Sequence, residues 1–225
     1  MDTNQLIAQE NELTQLLDQI LQKANEYKAV VRVLGALAIR VHCPQFKHIE
    51  YKLGRQLTDI DLVADSHSYR QLEKVTAQLG WSENKRVRAF SAGKRLLFFG
   101  TDGMHFDVFF DRLSMCHEIN FKGRLEIDYP TISLVDLLLE KMQIVEINEK
   151  DLIDTMVLLL EHNIGDTSDE TIDAKYLRSL CASDWGLWRT VTMNLNKVKS
   201  YLFSVTELSE QERQNGETKV ARLLQ

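Results

Sequence analysis

The hydrophobic period changes along this chain. Between Trp81 and Asp111 apolar residues recur at every second position, and beyond Pro130 they recur at helical spacing to the end. Side chains alternate across a strand but return to one face of a helix after each turn, so the two periods identify the two structures. A chain carrying both in separate blocks is neither a helical bundle nor a sandwich. It is α+β, with a mixed or antiparallel sheet flanked by helices in front and a helical bundle behind. The boundary is expected near Pro130, giving a sheet-bearing domain with the N-terminal helix over 1–130 and a helical domain over 131–225.

The front block can be read in more detail. Leu6, Ile7, Leu13, Leu16, Leu17, Ile20 and Leu21 predict an amphipathic opening helix. Val30 to Leu34 is a short apolar strand that Gly35 turns directly into a helix over Ala36 to Val41. Cys43 to Gly54 reads as an irregular polar insertion. Thr58 to Ala64 alternates as a half-buried strand, and Ser66 or Ser68 can cap a helix that Gly80 stops. Strands are expected over Arg86–Phe90, Arg95–Phe99 and His105–Phe110, with turns at Ala92-Gly93 and Asp102-Gly103. A short strand pair is expected around Glu118–Asp128. Helices follow over Ser133–Val145, Glu149–His162, Thr171–Cys181, Asp184–Phe203 and Glu207–Leu224.

Composition narrows the class. Forty-four per cent hydrophobic and 27% charged residues make a globular core expected. The net charge of −6 does not indicate a nucleic-acid partner, although a local basic groove could still hold one. Cys43, Cys116 and Cys181 have no metal-ligand spacing and read as reduced thiols. No apolar run reaches the roughly 20 residues of a membrane span, and the N-terminus lacks a signal-peptide pattern. A cytoplasmic protein with no membrane partner is expected.

The chemistry concentrates on three carboxylates. Asp59 and Asp61 are two apart in one strand and leave the same face, while Ile60 and Leu62 leave the other. Such a pair repels itself unless a cation lies between, and hard oxygen donors suit Mg²⁺. An arbitrary acidic pair is more often a solvated strand face. This one follows a strand and a glycine turn that feeds a helix, where backbone N–H groups can approach a phosphate. Asp107, set between Phe106 and Val108, is costly to bury without a partner or metal, and is the expected third acid. Asp111 lies on the same face at the strand end, where a turn role fits better. His105 shares the Asp107 face. Trp185 and Trp188 read as bundle core, with base stacking as the alternative.

Leu34-Gly35-Ala36-Leu37-Ala38, Arg55-Gln56-Leu57-Thr58-Asp59-Ile60-Asp61-Leu62 and the strand with Asp107 resemble the DNA polymerase β-like nucleotidyltransferase superfamily. Within it they are most similar to the AbiEii-type, toxin-like branch. Lys141 and Glu149-Lys150-Asp151-Leu152-Ile153-Asp154 resemble that branch's downstream lysine and Lys-Asp-x-x-Asp motifs. The resemblance implies the nucleotidyltransferase fold and transfer of an NMP from an NTP such as ATP to an acceptor hydroxyl on a small molecule, an RNA end or a protein. It implies Mg²⁺ on Asp59, Asp61 and Asp107, and nucleotide contacts from Gly35, Ala36, Arg55, Thr58, Lys141, Lys150, Asp151 and Asp154. Lys141 can equally snorkel from the edge of its helix stripe, and the first-turn acids can simply complement a helix dipole. An antitoxin-like protein partner is a further implication. Ala36 replaces the usual second Gly or Ser, and Gly35 to Asp59 is a longer gap than usual. The alternative is a catalytically degenerate nucleotide- or protein-binding module.

Overall fold

A computed structural model describes residues 2–100 and 103–225. Helix α1 (Thr3–Glu26) is fixed at its start by a capping box, in which Asp2 Oδ1 accepts from the Gln5 amide and Gln5 Oε1 accepts from the Asp2 amide. Its stripe of Leu6, Leu13, Leu17, Ile20, Leu21 and Ala24 is buried. Strand β1 (Val31–Leu34) runs straight into α2 (Gly35–His42). Next come α3 (Lys47–Lys52), β2 (Ile60–Ala64), a 3₁₀ turn at Ser66–Ser68 and α4 (Tyr69–Gln78). Strand β3 (Ser82–Glu83), helix α5 (Lys85–Phe90), β4 (Arg95–Phe99) and β5 (His105–Phe110) complete the sheet region. After β6 (Arg112–Ser114) and β7 (Glu118–Asn120) come α6 (Leu134–Met142), α7 (Glu149–Glu161), β8 (Ile164–Gly165), β9 (Ile172–Asp173), α8 (Ala174–Ser183), α9 (Trp185–Ser204) and α10 (Glu210–Leu223).

The five-stranded sheet has the order β1-β2-β5-β4-β3. Only β2 and β5 are parallel; the other neighbours are antiparallel. Alternation decides its two faces. Ile60, Leu62, Leu96, Phe98, Phe106 and Val108 are buried. Phe98 stacks on Phe106 with centroids 5.0 Å apart, and Trp81 meets Phe106 edge-on at 4.8 Å. Each such side chain removed from water contributes about 1.5–3 kcal/mol, so this face holds the sheet in place. The opposite face carries the alternate residues, among them Asp61, Asp107 and Arg95.

Two compact units result. The first comprises the chain up to Ala38, Gln56–Leu113 and Asn120–Ile132, and contains the sheet. The second comprises Ile39–Arg55, Ser114–Ile119 and Ser133–Gln225. In the second, all nine residues of α6 are buried, making it the central helix.

The α+β layout stands as expected from the period change. Several elements differ. Arg86–Phe90 is helical, because Asn84 caps the Arg86 and Val87 amides and Lys, Arg and Ala favour a helix where no strand partner is offered. Ala92 and Gly93, at φ 51° and 76°, therefore turn a helix into β4 and do not join two strands. The insertion after Cys43 contains α3. The strand pair near 118–128 is β6 with β7, displaced toward the N-terminus. The helical half is interrupted by β8 and β9. Trp185 and Trp188 are exposed, Trp185 at 74%, because the buried stripe of α9 runs through Leu187, Val191, Leu195, Val198 and Leu202. The expected Asp102-Gly103 turn lies partly outside the described residues. Among those described, no helix is long and apolar enough to cross a membrane.

Candidate active site

Asp61 and Asp107 are register partners on parallel β2 and β5. Neighbouring strands present register partners on the same face, so the two carboxylates stand side by side although 46 positions separate them (107 − 61). Asp107 is only 4% exposed, while Asp61 is half-buried. Asp59 precedes β2 by one residue; its Oδ1 accepts from the Thr58 hydroxyl at 2.8 Å, and its Oδ2 lies 3.9 Å from His105 Nε2. The acids thus occupy two successive rows of the open face, with Asp59 beside His105 and Asp61 beside Asp107.

Gly35 lies against this group. Its φ is 77°, in the left-handed region, and a Cβ placed on it would meet Asp61 Oδ2 at 2.7 Å. Any larger residue would both strain the backbone and push the carboxylate aside. Ala36 follows it half-buried in the first turn of α2. The expected glycine turn and the expected acids therefore meet.

Arg95, which sequence reasoning missed, is the cation of the site. Its Nε and Nη2 donate to the two Asp107 oxygens at 2.7 and 2.8 Å, a bidentate pair, and its guanidinium lies 5.5 Å from the Phe109 ring centroid. The hydrogen bonding to Asp107 raises the Arg95 pKa against the opposing effect of burial. The charges of Asp107, Asp61 and Asp59 add to the rise. One positive charge is therefore held in the field of all three acids. Two signals were available: parity, since Arg95 alternates with buried Leu96 and Phe98, and the hairpin turn expected between its strand and that of Asp107; the register between the two strands is a tertiary fact.

The metal expected from the acids can be tested on the donors themselves. Three hard carboxylates on one face, with a side-chain-free residue against one of them, suit Mg²⁺ in kind. With Arg95 engaged, both Asp107 oxygens already have a partner. Among the described residues no group of three or more His, Cys, Asp or Glu side chains is arranged to hold a metal ion. Asp111 has the turn role: its φ is 58° and its Oδ1 accepts from the Ser66 amide at 2.9 Å.

The other expected nucleotide contacts lie in the second unit, apart from exposed Thr58. Arg55 donates to both Asp154 oxygens at 2.7 Å, and Lys141 Nζ lies 3.0 Å from Asp154, 3.4 Å from Asp151 and 3.8 Å from Glu140. Burial pushes the Asp154 carboxyl up, but Lys141 and Arg55 outweigh it and hold it below the ordinary carboxylate range. Burial likewise opposes the charge on Lys141, and Asp154, Glu140 and Asp151 overcome it, so its pKa is raised. Lys141 is thus buried among carboxylates, and does not snorkel. Beside this network Arg40 pairs with Glu50, whose carboxyl burial lifts to about 7 against the pull of Arg40. Lys150 is exposed on the first turn of α7.

No family model matches the chain, and no curated protein is significantly similar to it. Among solved structures it is similar to the solution structure of the antibiotic-resistance factor ANT(2'')-Ia, at 15% identity over 81% of this chain and 96% of that one, with a TM-score of 0.45.

Proposed function

We propose that the chain is a nucleotidyltransferase that moves an NMP from an NTP to an acceptor hydroxyl. The observation that carries this reading is the registered pair Asp61 and Asp107, with Gly35 against one and Asp59 in the next row. Asp59, Asp61 and Asp107 would hold Mg²⁺, which when bound supplies neutralisation of triphosphate charge and a lowered pKa for the acceptor hydroxyl. The first turn of α2, opening at Gly35, presents the positive end of a helix dipole to phosphate oxygens. Asp107, the least exposed of the three acids, takes the acceptor's proton on a carboxylate oxygen once Arg95 has released it. The acceptor oxygen then bonds the α-phosphorus as the bond to the leaving pyrophosphate breaks.

The test is incubation with each α-³²P-labelled NTP, Mg²⁺ and a cell extract. Transfer of label by the wild type, at least a hundredfold above Asp61→Asn, is the expected result; equal labelling by both ends the reading. Growth arrest on expression that Asp61→Asn abolishes would extend it to the toxin-like role.

The Arg95–Asp107 pair favours a second reading, a nucleotide-binding module without chemistry. Calorimetry separates the two. NTP affinity that does not depend on Mg²⁺, and that survives Asp61→Asn, supports the module; a strict Mg²⁺ requirement supports the enzyme.

A further inference from the structure

Lys85 to Arg95, KRVRAFSAGKR, carries five bases and no acid in a chain whose net charge is −6. Its helical part, α5, buries none of its residues, so the core does not explain it. Lys85, Arg86 and Lys94 are exposed and have no ion-pair partner among the described residues. Arg88 is engaged, lying 3.6 Å from Glu83 and 3.8 Å from Glu73, with its guanidinium 5.0 Å from the Tyr69 ring centroid. Phe90, at the end of α5, is 91% exposed. One exposed aromatic is ordinary on a surface. This one stands inside the basic run, and the run leads through the Ala92-Gly93 turn into β4, where Arg95 reaches Asp107. Across the acids, on the same open face, Phe99 is 41% exposed and its ring is 5.9 Å from that of His105.

We propose that this run is a binding site for single-stranded nucleic acid, and that the strand it holds is the acceptor of the transfer. The second half rests on the nucleotidyltransferase reading; the first does not. Unpaired cations along a short path match consecutive phosphates, and an exposed ring offers a face on which any base can stack. An anionic membrane would call for a longer helix with a continuous apolar face. Charge complementarity is local: the basic run is set in a protein of net charge −6, so a polyanion is drawn to it.

The test uses the full chain and a fluorescein-labelled, mixed-sequence 20-nucleotide RNA, followed by anisotropy between 50 and 200 mM KCl. The variants are Lys85→Ala/Arg86→Ala/Lys94→Ala, Phe90→Ala and Asp61→Asn, with circular dichroism to check folding. The wild type should bind with an affinity that falls as salt rises. The triple variant should bind at least tenfold more weakly, with a log–log salt slope smaller by about 2, from three lost phosphate contacts on a single strand. Phe90→Ala should weaken binding by roughly fivefold or more through lost stacking. Asp61→Asn, which removes a negative charge and none of the run's cations, should bind RNA at least as tightly as the wild type, and this separates the binding site from the chemistry. Absence of RNA binding, or unchanged binding by the triple variant, overturns the proposal. So does equal capture by heparin or phosphatidylserine vesicles with no effect of Phe90→Ala. If RNA binds as expected but NTP label appears only on other molecules, the acceptor assignment falls and the transfer reading stands. If RNA binds and no label moves to anything, the transfer reading falls and the binding site stands.

Discussion

Gly35 and Arg95 show how much a single position decides. Gly35→Ala must fit a Cβ 2.7 Å from Asp61 Oδ2 while holding φ at 77°. A loss of about 1–3 kcal/mol in urea unfolding is expected from the strained backbone, together with a displaced carboxylate. Arg95 competes with any cation for Asp107, because its two hydrogen bonds use both oxygens. Arg95→Met should therefore bind Mn²⁺ several-fold more tightly than the wild type, read by water-proton relaxation without nucleotide. Weaker Mn²⁺ binding in the variant would mean that the guanidinium helps build the metal site. The two residues also mark what was readable. A glycine between a strand and a helix announces itself, and so does the parity of Asp59, Asp61 and Asp107. Arg95 does so only in part: the Asp102-Gly103 hairpin signal sets β4 beside β5, but the register that brings Arg95 to Asp107 is not fixed by it.

At the scale of elements, the sheet face depends on counting by two. Removing one residue from within β5 would turn its outward side chains inward and set Asp107 in the core. Helix α7 makes a different demand. Asp154 neutralises Arg55 and Lys141 together, so Asp154→Ala leaves two buried cations with too little negative charge. A loss of about 3–5 kcal/mol in urea unfolding is expected, because breaking a buried pair costs far more than the pair contributes. An unchanged midpoint would show that water reaches the network. Arg55 and Asp154 are 99 positions apart, and no periodicity connects them. Helix α5 was misread for a local reason: Arg86 to Phe90 has a polar–apolar pattern that suits either structure. The deciding signal, Asn84 ahead of good helix formers, was present and outweighed by the strands that follow.

Taken as a whole, the molecule should respond to acid through a histidine far from the candidate site in sequence. Burial, helped by the nearby charge of His42, drives the His162 imidazole down to about 4 from its ordinary 6.5. Between those values the unfolded chain takes up a proton that the folded one refuses, so this group's stability is present above pH 6.5 and lost as pH falls toward 4. Glu50 works in the opposite sense, since its raised carboxyl favours the folded state at low pH and loses that advantage as pH rises through about 7. The two effects oppose each other between pH 7 and pH 5, so on acidification over that interval the urea midpoint of His162→Gln, in which Glu50 acts alone, should rise relative to that of the wild type. The layout of helices and strands was legible because periodicity is local. The ion pairs, and with them these pH responses, were not, because they are made by segments that only folding brings together.

The parallel pairing of β2 with β5 carries one more consequence. The forty residues from Asp65 to Met104 that join them loop away and return, and the pairing of Asp61 with Asp107 is set by hydrogen bonds between the strands, not by the length of that excursion. Most of that stretch is itself structural, since β4 pairs with β5 and supplies buried Leu96 and Phe98, but α5 within it buries none of its residues and can be exchanged while the two strand segments still zip together. An engineer could vary the exposed surface of α5 and leave the registered carboxylates where they are.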